Sequence, residues 1–207
     1  MEIKRMLIYA LFITSLIVAN VVAGKVLNLW GLEVPGAFLL YAFTFLATDL
    51  TSELYGKKEA QKLVFTGFVA SVFASIMIFL TQLLPVAPFA AHVQEAYEVL
   101  LGANFRFVAA SMIAYYASQT WDIWFFHKLG KATKGKHKWL RNNASTATSQ
   151  LIDTVIFITI AFLGAVPNLL WMVVSQYIVK LGVAAVDTPV FYLLTKGVKN
   201  KAFESSE

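Results

Sequence analysis

The chain has 207 residues, of which 58% are hydrophobic and 14% charged, with a net charge of +5 and no cysteine. Soluble domains run at roughly 45–50% apolar and about 25% charged, so a mean hydropathy of +0.67 reads as an integral membrane protein. The lack of cysteine excludes disulfides, thiolate nucleophiles and Cys-ligated metals, and spans of about 20 residues joined by short loops fill residues 1–207 as one domain.

Apolar runs bounded by charges, Pro or Gly predict six transmembrane helices at about 6–23, 37–55, 63–84, 107–127, 148–166 and 168–195, in one all-α bundle. The second and fifth runs are short or carry polar residues, so five spans with a re-entrant segment is the competing count. Basic residues before the first run and Val21-Val22-Ala23 after it mimic a secretory signal, but the apolar run exceeds a signal core and predicts a retained helix. Gly67, Ala70, Ser71, Ala74 and Ser75 form a small-residue stripe on the third helix, which predicts close helix packing without a substrate role. Pro85 and Pro88 end that helix. Phe89, Val93, Tyr97 and Leu100 then recur at helical spacing, with Glu95 and Glu98 elsewhere on the wheel. This predicts a short amphipathic helix on the outer surface, an interfacial anchor in preference to a gating lid. Residues Ala202 to Glu207 read as a frayed tail.

Charge in the connections sets the orientation. Lys4 and Arg5 precede the first span, Lys57, Lys58 and Lys62 follow the second, six cations lie between Lys128 and Arg141, and Lys196, Lys199 and Lys201 follow the last. The alternate connections carry only Lys25 and Arg106. The positive-inside rule then predicts that both termini are cytoplasmic, and it absorbs the basic excess as a topology signal, with no nucleic-acid partner.

Two predicted helices share a polar signature, Ser118-Gln119-x-x-Asp122-x-x-x-Phe126 and Ser149-Gln150-x-x-Asp153-x-x-x-Phe157. A carboxylate at the bilayer centre costs about 2.5–3.5 kcal/mol even on the translocon scale, so such residues face a bundle interior and mark solute or proton paths. Gln and Asp three apart project from one helical face. Asp49 and Glu53, four apart on the second span, and Gln176 and Lys180 on the last, with Asp187 two turns further on, add ionisable groups from other helices. Lys180 either neutralises a buried Asp or contacts a ligand directly. Glu53 either sits at the water interface beside Lys57 or acts with Asp187 in coupling or gating. Asn20 serves as interhelical glue or as a ligand. The donor-rich segment from Arg141 and Asn142 to Ser149 and Gln150 is expected at the mouth of the fifth span. There Asn143 or Ser145 caps the helix and its free N–H groups hold an anionic or carbonyl group.

The wording of several blocks is recognisable. Trp139-Leu140-Arg141-Asn142-Asn143, Ser145-Thr146 and Ser149-Gln150-Leu151-Ile152-Asp153-Thr154-Val155-Ile156-Phe157 resemble the queuosine precursor transporter family, also called the vitamin uptake transporter family. Ala19-Asn20-Val21-Val22-Ala23-Gly24-Lys25, Asp49-Leu50-Thr51-Ser52-Glu53-Leu54-Tyr55-Gly56 and Ser118-Gln119-x-x-Asp122 support it. The resemblance covers nearly the whole chain and implies a multi-pass inner-membrane importer of 7-deazaguanines, such as preQ0, preQ1 or queuine, that salvages precursors for tRNA modification. The chemistry fits such a solute. A guanine-like edge offers adjacent N–H donors that one carboxylate, Asp153 or Asp122, accepts side by side, while Asn142, Gln119 and Gln150 match a mixed donor and acceptor edge. Trp121, Trp124 or Phe125 either stacks on the ring or packs in the core or against lipid. A half-buried carboxylate can also carry a proton with its substrate.

The expected site is therefore Asn20, Asp49, Gln119, Asp122, Arg141, Asn142, Ser149, Gln150, Asp153, Gln176 and Lys180, with no metal and no cofactor. Expected partners are the solute, the bilayer and a second copy of the chain. The nearest rival is a substrate-capture subunit that needs an ATPase module, as in energy-coupling-factor importers. A membrane-embedded enzyme is disfavoured, because His92, His127 and His137 are scattered without paired-ligand spacing and no serine sits in a nucleophile motif.

Overall fold

A computed structural model describes residues 2–132 and 138–195. Among them the chain forms α1 (Glu2–Val22), β1 (Val26–Leu29), β2 (Leu32–Pro35), α2 (Phe38–Tyr55), α3 (Lys57–Gln82), α4 (Ala91–Leu101), α5 (Asn104–Ala132), α6 (Lys138–Phe162) and α7 (Leu169–Thr195). Four stretches, Ile3–Val22, Lys58–Gln82, Pro88–Trp121 and Ala144–Phe162, are long and apolar enough to cross a bilayer. Phe38–Thr48 and Leu169–Val183 are shorter apolar helices. The six long helices overlap the six predicted runs. α4 follows a single 3-10 turn at Pro88–Ala90 and buries no side chain, as a helix lying on a surface does.

Two features depart from the sequence reading. The fold is mostly helical rather than all-α, because β1 and β2 pair antiparallel, with Leu29 opposite Leu32, in the connection after α1. Trp30 and Gly31 form the two-residue turn with φ of 52° and 92°, both positive as a tight hairpin of this length requires. Asn28 steadies the turn by accepting the Gly31 N–H at 2.8 Å, and the Trp171 indole donates to the Gly31 carbonyl at 3.1 Å, tying the hairpin to the start of α7. Tryptophan at the first turn position is no hairpin signal, and tertiary anchoring replaces the missing Asn-Gly. The second departure is the start of α6. The helix is already formed at Lys138, so Asn143 and Ser145 lie inside it and do not cap it, and the segment from Arg141 to Gln150 offers no free helix-end N–H groups.

The core is narrow and built on small residues. Ala19, Ala23, Ala37, Ala110, Ala114 and Ala161 let the helices approach, and Phe107, Phe157, Ile158, Phe162 and Met172 fill the space between them. A second cluster joins α1, α2 and α3 through Phe12, Leu16, Ala47 and Leu63. Outward, Phe65, Val69, Phe73, Phe79 and Leu80 of α3 are exposed, the expected dress of a lipid-facing surface. α5 and α6 are fastened at one end by Arg106. Its guanidinium donates to the Ile160 carbonyl at 2.5 Å and the Leu163 carbonyl at 2.8 Å, satisfying acceptors that the end of α6 leaves open. Gly164, at φ 80°, then turns the chain away.

The small-residue stripe of α3 does what its composition implies at Gly67. A Cβ there would stand 2.5 Å from the Phe12 ring and 3.0 Å from Leu16. Because Phe12 is itself buried, the ring has nowhere to retreat. Gly67→Val should therefore force α1 from α3 and destabilise the protein by about 1–3 kcal/mol, read as a lower unfolding temperature in detergent. Wild-type stability in that variant would show that the two helices do not meet there.

Candidate functional site

α6 turns Gln150, Asp153 and Phe157 to one side, and α7 does the same with Gln176 and Lys180. Across the gap Lys180 Nζ meets Asp153 Oδ2 at 2.7 Å, with the side chains 15% and 23% exposed. The other ion pair among the described residues, Lys62 with Glu59 at 2.6 Å, lies one turn apart on α3 with the lysine well exposed. In a membrane chain the interhelical pair carries more weight. Each charge strands the other if removed, because hydrocarbon provides no substitute partner.

Around this pair stand polar atoms with nothing to bind. Gln176 is buried at 2% exposure, and its Oε1, the Gln150 Oε1, the Ser175 hydroxyl and the Tyr41 hydroxyl find no hydrogen-bond partner among the described residues. A buried polar group left unsatisfied costs about 1–3 kcal/mol, so three of them beside the ion pair, on Gln150, Gln176 and Tyr41, mark a place built to receive a polar solute or water. Tyr41, on α2, packs edge-on against Phe157 with ring centroids 6.0 Å apart and lies within electrostatic reach of Asp153. Nothing in the local sequence distinguishes Tyr41 from the other aromatics of α2, and only its packing against α6 brings it in.

Other hydroxyls near the pair are already satisfied. Ser149 is buried, but its Oγ donates to the Thr146 carbonyl at 3.0 Å, and Thr154 donates to the Gln150 carbonyl at 2.8 Å. Such bonds within a helix leave these hydroxyls no donor for a ligand without a rotamer change. The Tyr177 hydroxyl donates to the Ala147 carbonyl at 3.2 Å and seats α7 against α6.

On α5 the aromatic residues pack on each other. Trp121 lies 5.0 Å from Trp124 and 5.7 Å from Phe125 between ring centroids, its indole N–H donates to Thr148 Oγ1 at 3.0 Å, and Lys128 caps the Trp124 ring at 4.6 Å. Trp121 is thus a bridge to α6. Gln119 is exposed on the same helix. The side chains of Asp49, Glu53, Asp122, Arg141, Asn142 and Asp187 lie outside the described residues. Asn20 is buried, but the crevice it lines belongs to α1, α3 and α5 and not to the Asp153 centre. Among the described residues no group of three or more His, Asp or Glu side chains is arranged to hold a metal ion.

Polar side chains gathered inside a bundle of apolar helices define a multi-pass membrane protein, and the family and relatives that it matches make it a transporter and not an enzyme. The chain belongs to the family described as "Putative vitamin uptake transporter", whose family model matches residues 35–194. It is 33% identical over 186 residues to the "Probable queuosine precursor transporter" of Bacillus subtilis (strain 168), covering 88% of this chain and 80% of the relative. The "Queuosine precursor transporter" of Escherichia coli (strain K12) is 28% identical over 156 residues, 75% of this chain and 66% of the relative. The "Probable queuosine precursor transporter" of Haemophilus influenzae is 30% identical over 127 residues, 60% of this chain and half of the relative. No solved structure matches the chain.

The ion pair makes a quantitative prediction. Lys180→Met and Asp153→Asn should each destabilise the protein, and the double variant should recover part of the loss, giving a coupling energy of about 1–3 kcal/mol in a double-mutant cycle. Purely additive losses in thermal unfolding would mean that the two side chains do not act as a pair.

Proposed function

We propose that the chain imports 7-deazaguanine precursors of queuosine across the cytoplasmic membrane as a secondary transporter, with six spans and both termini inside. The observation that carries this reading is the Asp153–Lys180 pair beside unpaired Gln150, Gln176 and Tyr41, in a chain whose relatives are named for queuosine precursors.

The physical logic is competition for one carboxylate. In the empty state Lys180 satisfies Asp153 and keeps an unpaired charge out of a low-dielectric site. A guanine-like edge brings two adjacent N–H donors, which a carboxylate accepts together, while the Gln150 and Gln176 carbonyl oxygens accept further donors and the Tyr41 hydroxyl supplies one. As the solute takes Asp153, Lys180 is released. A neutral solute leaves the two charges summing to zero, so a proton or cation that moves with it adds one positive charge, which an inside-negative membrane potential draws inward. Substrate thus binds by exchanging partners rather than by burying new charge. That keeps binding reversible, as alternating access demands.

Uptake of labelled preQ0, preQ1 and queuine into proteoliposomes holding only this protein, with and without an inward proton gradient, tests the assignment. Gradient-stimulated accumulation is the expected result, with Asp153→Asn inactive but folded. Binding without uptake would point instead to a capture subunit awaiting an ATPase partner, and no interaction with any of the three compounds would remove the substrate assignment. The absence of native cysteine makes the topology directly measurable. Single cysteines at Ala132 and Ala165 should react with an impermeant maleimide from the cytoplasmic and the outer side respectively, and labelling of both from one side would reject the six-span arrangement.

A further inference from the structure

The small-residue stripe of α3 does a second thing beyond packing. Toward the end of the helix it turns Ser71 and Ser75 inward, where they meet Asn20 of α1 and Asn104 at the start of α5. All four are buried, with Asn20 at 1% and Ser71 at 2% exposure. Asn20, Ser71 and Asn104, with Ile17, Ala74 and Val108, line a narrow crevice. Ser75 Oγ donates to Asn104 Oδ1 at 2.6 Å. The Asn20 amide Nδ2 donates to the Leu16 carbonyl at 3.0 Å, which fixes the orientation of the group, since a carbonyl can only accept. Asn20 Oδ1 is therefore the end left over. It and Ser71 Oγ have no hydrogen-bond partner among the described residues.

These oxygens carry no formal charge and bring no carboxylate with them. The crevice is too narrow for a water-sized sphere, so water is a poor way to satisfy them. Hard cations prefer oxygen ligands, and a divalent ion demands carboxylates to offset its dehydration. What remains is a small monovalent cation that is smaller than water once dehydrated and content with amide and hydroxyl oxygens. Potassium is about the size of a water molecule, and sodium is smaller.

We propose that Asn20, Ser71, Ser75 and Asn104 form a sodium site at the junction of α1, α3 and α5, separate from the Asp153–Lys180 centre. Sodium there links α1 and α3 to α5, and so ties one group of helices to the helix that Trp121 and Arg106 fasten to α6. Its use as the coupling ion rests on the transport reading above, whereas its binding does not.

The test begins without substrate. Thermal unfolding of the purified protein is followed against NaCl, with KCl and choline chloride at equal ionic strength as controls. Sodium alone should raise the unfolding temperature. Ser71→Ala, which removes only a hydroxyl, should weaken the apparent sodium affinity by about tenfold or more. Asn20→Asp, the same shape with a charge added, should create a response to calcium that the wild type lacks. An equal response of the wild type to all three salts, or unchanged sodium affinity in both variants, would overturn the site. Neither result bears on substrate uptake driven by a proton gradient, so failure here and failure of the substrate assignment are told apart. If the site stands, an inward sodium gradient should stimulate precursor uptake by the wild type and not by Ser71→Ala. Equal stimulation of both would leave no role for the site as the coupling position.

Discussion

Hydrocarbon offers no hydrogen-bond partner, and this one constraint arranges the molecule. Each polar group on an apolar helix must find another inside the bundle or leave the membrane. The Asp153–Lys180 pair is the costliest instance, since two formal charges on different helices are tolerable only together. Its presence fixes how α6 faces α7 and brings the buried Gln176 and the Gln150 carbonyl oxygen to the same neighbourhood. The hydroxyls of Thr44, Thr51, Thr66, Thr81, Ser111, Ser118 and Thr154 answer the constraint more cheaply, bonding to carbonyls three or four residues back on their own helices.

Against that background the groups left unpaired become informative. In a water-soluble protein a stray buried hydroxyl can be met by solvent. Here Tyr41, Gln150 and Gln176 cluster beside a charge, and Asn20 with Ser71 clusters beside a second hydrogen-bonded pair. Two such places on different helices are what the two proposals rest on, a solute site beside Asp153 and an ion site beside Asn20. The packing between them rests on alanines and Gly67, which bring backbones close enough for a short side chain to reach its neighbour.

The sequence made much of the site legible because intramembrane acids are rare and conspicuous. Asp153 and Lys180 stand out from the residues alone, and pairing with an aspartate was one of two readings open for Lys180. Gln150 and Gln176 follow from their spacing. Tyr41 and Asn104 did not stand out, since a tyrosine or a helix-terminal asparagine is common in any membrane chain and acquires meaning only from what faces it. The hydroxyls of Ser71 and Ser75 were hidden in a stripe whose small volume was sufficient reason for its existence. The helix-capping role expected near Asn143 failed for a local reason: the apolar pattern begins ten residues after α6 does, because a helix can extend into water on polar residues that hydropathy reads as loop.

By itself the sequence determined the class of protein, the places where apolar helices run, the family and the acids that need company. Each is a one-dimensional property, set by composition, periodicity or wording along the chain. Only the tertiary structure decided which acid meets which base, that a tryptophan turn folds β1 onto β2 and is held by Trp171, and that Asn20 looks toward α3 and α5 and not toward Asp153. Those are facts of rotation and approach between helices, fixed by how alanines, Gly67 and buried rings fit together, and no periodicity along one strand of sequence encodes the angle at which another helix will pass.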